Sequence, residues 1–287
     1  MNTIKSLSVL LVVLTFAPLP GWAAAVIGTE LSSFAVLGAS TVTNTGATTL
    51  IGNLGVAPGT AITGKETITV NGTNAATSGN PSVHAADAYS LLAQTQLSLA
   101  KVSLGLLGPG TVLGANLAGL TLTPGVYTVP AAASNLTGIL TLDGLGDPNA
   151  AWVFQMLSTL ITSSGSIVNV TNTGADAGLF WNVGSSATLG TTTSFAGNIL
   201  ALTSISLNTG ATIGCGSALA NTGAVTMDAN TIGCLESRLN GGLTVTEAGG
   251  LPTFIAFSPI PEPGSFVLLG FGLAALLGFK KWGSAPV

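Results

Sequence analysis

Few side chains in this 287-residue chain could do chemistry, and their spacing argues against most of it. There is one histidine, His84, and there are two cysteines, Cys215 and Cys234. Structural zinc takes four nitrogen or sulfur ligands, which this set does not supply. No Gly-x-Ser-x-Gly elbow occurs, and a lone His among scattered acids leaves a nucleophilic triad without partners. Asp143 and Asp147 stand in Leu142-Asp143-Gly144-Leu145-Gly146-Asp147-Pro148. Two carboxylates are few for the six to eight oxygens that calcium takes, so a capped turn is the better reading. Asn71-Gly72-Thr73 has the form of a glycosylation acceptor and carries little weight. No cofactor and no metal are expected, and an enzyme is the least supported class.

The cysteines lead instead to a repeat. Thr212-Ile213-Gly214-Cys215 and Thr231-Ile232-Gly233-Cys234 are the same four residues nineteen positions apart. The match extends upstream through Ser206-Leu207-Asn208-Thr209-Gly210-Ala211 and Thr226-Met227-Asp228-Ala229-Asn230. Thr188-Leu189-Gly190-Thr191-Thr192-Thr193-Ser194-Phe195 takes the same register, and looser copies begin at Thr43, Thr121 and Thr159. A period near nineteen built from short alternating strands is what a β-solenoid needs. Equivalent positions in stacked coils lie about 4.8 Å apart, inside the Cα window for disulfides. The alternation Thr-out, Ile-in, Gly-out, Cys-in points both thiols at the core. A Cys215–Cys234 disulfide is expected in an oxidising compartment, worth on the order of 3 kcal/mol; the alternative is two buried free thiols.

Within each coil the alternation separates inside from outside. In Ser204-Ile205-Ser206-Leu207-Asn208 apolar and polar side chains point opposite ways, as in Ala224-Val225-Thr226-Met227-Asp228. One outward ladder then runs through Thr43, Thr121, Thr141, Thr188, Ser206 and Thr226. A single segment breaks the pattern. From residue 81 to 102, Ala85, Ala88, Leu92, Leu99 and Val102 recur at helical spacing, with Asn80 as N-cap and Pro81 at the first position. Such a helix is about 33 Å long, matching about six or seven coils at 4.8 Å, so it is expected to lie along the solenoid axis against one side.

Composition fits this picture. Only 6% of residues are charged, against roughly 25% in ordinary soluble domains. The mean hydropathy is +0.67, yet long apolar runs occur only at the two ends. With a net charge of −4 and no basic patch, nucleic acid is excluded as a partner. Residues 1–25 have a signal-peptide layout: Lys5, an apolar run over 7–16, then Ala23-Ala24-Ala25. Residues 26–240 form the solenoid and 241–258 a linker. Residues 259–287 comprise Pro261-Glu262-Pro263, an apolar segment over 266–279 and Lys280-Lys281, the basic end being held on the cytoplasmic side of a membrane.

Two resemblances follow from these motifs. The C-terminal arrangement resembles the PEP-CTERM sorting tail, which implies export by a Gram-negative cell, processing by an exosortase-type membrane peptidase and an extracellular or cell-surface location. Between them the ends enclose long stretches that resemble the microbial β-solenoid ice-binding (antifreeze) family. These include Phe34-Ala35-Val36-Leu37-Gly38, Pro58-Gly59-Thr60-Ala61-Ile62-Thr63-Gly64, Leu122-Thr123-Pro124-Gly125-Val126-Tyr127 and Gly184-Ser185-Ser186-Ala187-Thr188-Leu189-Gly190. This resemblance implies a right-handed, discontinuous β-solenoid of triangular section with one long flanking α-helix, whose coil order in space departs from chain order. It also implies adsorption to the surface of an ice crystal. Stiff Thr side chains repeated at a fixed interval, with almost no charge to bind water tightly, are compatible with that role.

The family pattern Thr-[Ala/Gly]-x-[Thr/Asn] occurs as Thr45-Gly46-Ala47-Thr48 and Thr209-Gly210-Ala211-Thr212. Thr191-Thr192-Thr193-Ser194 departs from it at its second and last positions, and Asp228-Ala229-Asn230-Thr231 at its first. The expected ice-contacting residues are Thr45, Thr48, Thr191, Thr193, Ser194, Thr209, Thr212 and Thr231. The ladder through Thr43 and Thr226 is the more regular one, but the helix is expected to obstruct that side. A rival reading is a structural or adhesive protein docking on extracellular polysaccharide. It requires exposed aromatic rings at Trp152, Phe180 and Trp181.

Overall fold

The computed structural model describes residues 24–130, 133–235, 238–245 and 250–255. Apart from Ala24 and Ala25, the expected signal peptide lies outside the described residues, as do Pro261, Glu262, Pro263 and the apolar segment after them.

Each coil lays one short strand on each of three sides. Face 1 has nine strands in the spatial order Thr111–Val112, Gly125–Val129, Ala151–Met156, Gly178–Val183, Asn198–Ala201, Ala218–Ala220, Phe34–Gly38, Asn53–Val56 and Val83–Ala85. Face 2 has seven: Ala133–Leu136, Thr159–Thr162, Ala187–Leu189, Ile205–Leu207, Val225–Asp228, Thr41–Thr45 and Ala61–Thr63. Face 3 runs through Thr121–Leu122, Ile139–Asp143, Ile167–Thr171, Ser194–Ala196, Thr212–Gly214, Thr231–Ile232, Thr48–Leu50, Ile68–Val70 and Thr73–Asn74. All neighbours within the three faces pair parallel except the last two of face 3, which close one end as an antiparallel hairpin.

The stack is discontinuous. Phe34–Gly38 pairs with Ala218–Ala220, so the N-terminal coils continue beyond the last C-terminal one. The chain then leaves Val83–Ala85 at one end of the nine-strand stack and resumes at Thr111–Val112 at the other. Eight inter-strand steps make about 38 Å. The helix Ala88–Leu106, about 28 Å long, covers most of that return journey along the axis. It starts later than Asn80-Pro81 suggests. Asn80 Oδ1 accepts from Ser82 N at 3.0 Å, and Val83–Ala85 is taken up as an edge strand beside Asn53–Val56. The cap is Asp87, whose carboxylate accepts from Ser90 N at 2.8 Å. His84 thus sits in a strand, its Nδ1 2.7 Å from Asp87 Oδ2.

Two layers of core result. Inside the solenoid the inward residues stack coil on coil, with a column of rings formed by Tyr127, Phe154, Trp181 and Phe195; Phe154 and Trp181 lie with centroids 4.1 Å apart. Outside face 1 a second cluster joins Phe180, Val153, Leu200, Leu219 and Leu37 to Ala93, Leu97, Ala100 and Leu104 of the helix. Strands of face 1 such as Ala151–Met156 and Asn198–Ala201 are therefore buried on both sides, as parallel strands beneath a helix must be. Lys101 pins the helix: its Nζ donates to Asn182 Oδ1 (2.8 Å), Val183 O (2.9 Å) and Leu200 O (2.7 Å). Burial pushes its pKa down to about 8.

Part of the expected linker lies in strands. Leu243–Val245 pairs antiparallel with Ala24–Ala25 and with Thr253–Phe254, and Leu243 and Val245 pack with Val26 and Ile27 into the helix-side cluster. Short strands paired across more than two hundred residues leave no local pattern to read. Just before them, Arg238 donates to the backbone carbonyls of Ser32, Phe34 and Ile51, tying the C-terminal segment to the first coils. A Cβ at Gly52, where φ is +126°, would fall on that guanidinium.

Candidate functional site

Because the helix occupies face 1, faces 2 and 3 are the open sides. The outward positions of face 2 form two columns, with a further pair, Thr45 and Asp228, at the edge toward the corner. One passes through Asn135, Ile161, Thr188, Ser206, Thr226, Thr43 and Thr63, each directly paired with the next. The other, two residues earlier in each coil, contains Thr159, Ser186, Ser204, Ala224, Thr41 and Ala61. Coils repeat at about 4.8 Å and the two columns stand about 6.6 Å apart. The result is a grid of small side chains, mostly Thr and Ser, held on a hydrogen-bonded backbone. No charged residue stands in either column. Inward neighbours such as Val42, Val225, Ile205 and Ala187 are buried and fix the outward ones in register.

Face 3 is different. One outward column runs through Ile139, Ile167, Ser194, Thr212, Thr231, Thr49 and Thr69. The next column begins with Thr121, Thr141 and Asn169 but falls to Ala196 and Gly214 further along, so a second file of hydroxyls is present at one end only. The ladder expected from sequence mixed the two sides: Thr43, Thr188, Ser206 and Thr226 belong to face 2, whereas Thr121 and Thr141 pair on face 3. Nor does the helix obstruct that ladder, since it lies on face 1.

The corner between faces 2 and 3 explains the four-residue pattern. Its second residue has positive φ in every copy: Gly46 (68°), Thr192 (55°), Gly210 (70°) and Ala229 (51°). Gly meets that requirement without strain, and Thr192 meets it at a cost. The first residue, as in Thr45, Thr191 and Thr209, is exposed at the corner. The third points inward and the fourth opens face 3. Thr193, a third residue, is 0% exposed and its hydroxyl bonds that of Thr162 at 2.8 Å, so it is removed from the expected surface set. Thr48 is removed as well. In the N-terminal corner the positive-φ residue, Gly46, stands three residues before the outward face 3 position instead of two, and a one-residue slip turns every side chain to the other side. Thr49 therefore takes the outward place beside Thr231. Thr48, 1% exposed, donates to Asn44 Oδ1 at 2.7 Å and accepts from Asn230 N at 3.1 Å. The six remaining expected residues straddle the corner: Thr45, Thr191 and Thr209 at its crest, Ser194, Thr212 and Thr231 on face 3.

Cys215 and Cys234 form a disulfide with Cα atoms 4.7 Å apart. They sit half-buried rather than in the core, because Cys215 has φ 49° and begins the turn toward face 1. Asp143 Oδ1 accepts from Leu145 N and Asn172 Nδ2, and these bonds hold its carboxyl below the usual carboxylate range. Asp147 Oδ1 accepts from Asn149 N. Both acids act as turn caps. Among the described residues no group of three or more His, Cys, Asp or Glu side chains is placed to hold a metal ion. Trp152, Phe180 and Trp181 are all fully buried, so none of these rings is available for stacking on a sugar.

Comparison with known proteins converges on one family. The ice-binding-like family model matches residues 36–233 and the PEP-CTERM protein-sorting motif matches residues 259–281. An ice-binding protein of Nostoc sp. (strain HG1) is 46% identical over 253 residues, covering 87% of this chain and 85% of the relative. Among solved structures, an ice binding protein from an Antarctic biological consortium matches with a TM-score of 0.66 at 39% identity, over 73% of this chain and 90% of that one. The ice-binding protein of the Antarctic ascomycete Antarctomyces psychrotrophicus gives 0.65 at 38% identity, over 73% and 98%. The chain belongs to the ice-binding-like family and carries a PEP-CTERM sorting motif.

Proposed function

We propose that this protein is exported and adsorbs to ice through face 2, slowing the growth or recrystallisation of the crystal. One observation carries the reading: the two-column grid around Thr43, Thr63, Thr188, Ser206 and Thr226 is uncovered, uncharged and regularly spaced. A crystal surface is recognised by repetition. Each Thr contributes a methyl and a hydroxyl on a stiff χ1, and backbone ladders on both sides of every strand but the two at the ends suppress the motion that would blur the spacing. Water ordered over such a grid is held at fixed intervals without the strong, misdirected hydration that a Lys or Glu would impose. The crest residues Thr45, Thr191 and Thr209 border the grid, and Ser194, Thr212 and Thr231 continue the hydroxyls round the corner. Names of the relatives, all ice-binding proteins, support the same reading. Docking on extracellular polysaccharide is disfavoured by the burial of Trp152, Phe180 and Trp181.

The C-terminal motif supports export and retention at the cell surface until an exosortase-type enzyme processes the tail, in a Gram-negative host. The test of function is ice-recrystallisation inhibition and thermal hysteresis on the purified, oxidised domain. Activity at micromolar concentration is expected. Silence from a folded sample would reject ice adsorption and return the polysaccharide reading to first place.

A further inference from the structure

The helix-covered side shows solvent a different chemistry from face 2. Along the outer side of Ala88–Leu106, the residues Leu91, Thr95, Ser98, Val102 and Leu106 make one stripe at helical spacing, with Leu92 beside it. Leu91 is 45% exposed, Leu92 46%, Leu106 52% and Val102 57%. A helix whose outer side meets only water carries charged groups there. This stripe has none, and the helix's one cation, Lys101, is turned inward onto Asn182, Val183 and Leu200. Charge is scarce throughout the chain, but on face 2 the exposed positions are filled mainly by Thr and Ser, not by Leu and Val.

Both ends of the folded domain lie on this same side. Ala24–Ala25 pairs with Leu243–Val245, which pairs in turn with Thr253–Phe254, and Val26, Leu243 and Val245 share a cluster with Ala93 and Leu97 of the helix. Phe254 and Ile255, at the last described positions, are 41% and 36% exposed. Only residues 256–265 separate Ile255 from the apolar segment of the sorting tail that starts at 266. Ten residues reach at most about 36 Å when fully extended. A tail seated in a bilayer therefore keeps the domain within that reach of lipid, at a high effective concentration, and the point of attachment is on the helix side.

We propose that the outer side of the helix Ala88–Leu106 is a lipid-contacting surface, lying on the membrane that holds the C-terminal tail and turning face 2 away from the cell. Contact buries Leu91, Leu92, Val102 and Leu106 at the headgroup boundary in the manner of an interfacial helix. Without basic residues on the stripe, the contact is insensitive to ionic strength, unlike polybasic attachment. The lipid contact does not depend on what face 2 binds; only the outward presentation of an ice-adsorbing side rests on the function proposed above.

The experiment uses the full chain with its tail, reconstituted in phosphatidylethanolamine–phosphatidylglycerol vesicles. Val102→Cys, Leu92→Cys and Thr95→Cys place an environment-sensitive dye on the stripe, and Thr226→Cys places one on face 2. The two native cysteines, joined to each other, leave no competing thiol. The expected result is a blue shift and several-fold quenching by spin-labelled lipid at residues 92, 95 and 102, unchanged in high salt, with neither at 226. Equal quenching at 226, or none at the stripe, would overturn the proposal. A blue shift that grows with protein concentration in the absence of lipid would overturn it in favour of a second copy as the occupant. No ice is present in this assay, so its failure is separate from any failure of ice adsorption.

Discussion

Faces 1 and 2 are built from the same backbone, parallel strands of two to six residues repeated coil after coil, yet they meet opposite surroundings. On face 1 the outward residues are Phe180, Val153, Leu200 and Leu219, and they recruit a helix. On face 2 the positions that point outward are Thr188, Ser206, Thr226 and Thr43, and they are left to solvent. The inward residues are largely apolar on both sides, Val, Ile, Leu, Met and Ala recurring in each, with the rings of Tyr127, Phe154 and Trp181 added on face 1. The comparison teaches that the outward half of the alternation, and not the fold, decides what each side is for.

The largest effect expected from breaking this contrast is on face 1. Replacing Phe180 by Ala should cost about 3–5 kcal/mol by opening a cavity beneath the helix, read as a lower midpoint in chemical denaturation, with any ice activity of the native protein unchanged. Removing the Cys215–Cys234 crosslink comes next. By releasing a loop of nineteen residues it should lower stability by about 3 kcal/mol, seen when the unfolding of a Cys215→Ala/Cys234→Ala variant is compared with the oxidised parent. Thr48→Val should follow at about 1–3 kcal/mol, because Asn230 N and Asn44 Oδ1 lose a buried partner. Its ice activity should survive, which sharpens the distinction between hydroxyls inside the corner and those on the grid.

The smallest effect concerns Lys101. Its folded pKa of about 8 lies below the ordinary lysine value of 10.5, so between those values the unfolded chain binds more protons than the native one. Stability should therefore rise as pH increases through that window and level off above it. Thermal unfolding from pH 7.5 to 10.5 checks this, with Lys101→Met expected to flatten the rise.

Much of the fold was legible because it repeats. The nineteen-residue match around Thr212-Ile213-Gly214-Cys215 gave the coil, the stacking of its two cysteines and hence their disulfide. The inside–outside alternation in residues 204–208 and 224–228 also held. What escaped was local geometry that a repeat does not encode. The positive-φ residue falls three residues before the outward face 3 position in Gly46–Thr49 but two before it in Gly210–Thr212, and that slip decides whether a Thr is on the surface or in the core. Asn80-Pro81 satisfies every helix-start rule, yet Asn80 serves a turn and Asp87 caps the helix. Which side the helix covers depends on where the chain re-enters the stack at Thr111, a property of the whole coil order. The pairing of Ala24–Ala25 with Leu243–Val245 joins the two extremes of the domain and left no trace in either segment.

The most direct test of the central claim is a pair of bulky replacements on the two open sides, Thr226→Tyr at the centre of the face 2 grid and Thr231→Tyr on face 3, compared by thermal hysteresis. Both positions are exposed, and each substitution should leave stability within about 0.5 kcal/mol. The account predicts that Thr226→Tyr loses most of the activity while Thr231→Tyr keeps it. Retained activity in Thr226→Tyr together with its loss in Thr231→Tyr would contradict the assignment and move the ice-contacting surface to face 3.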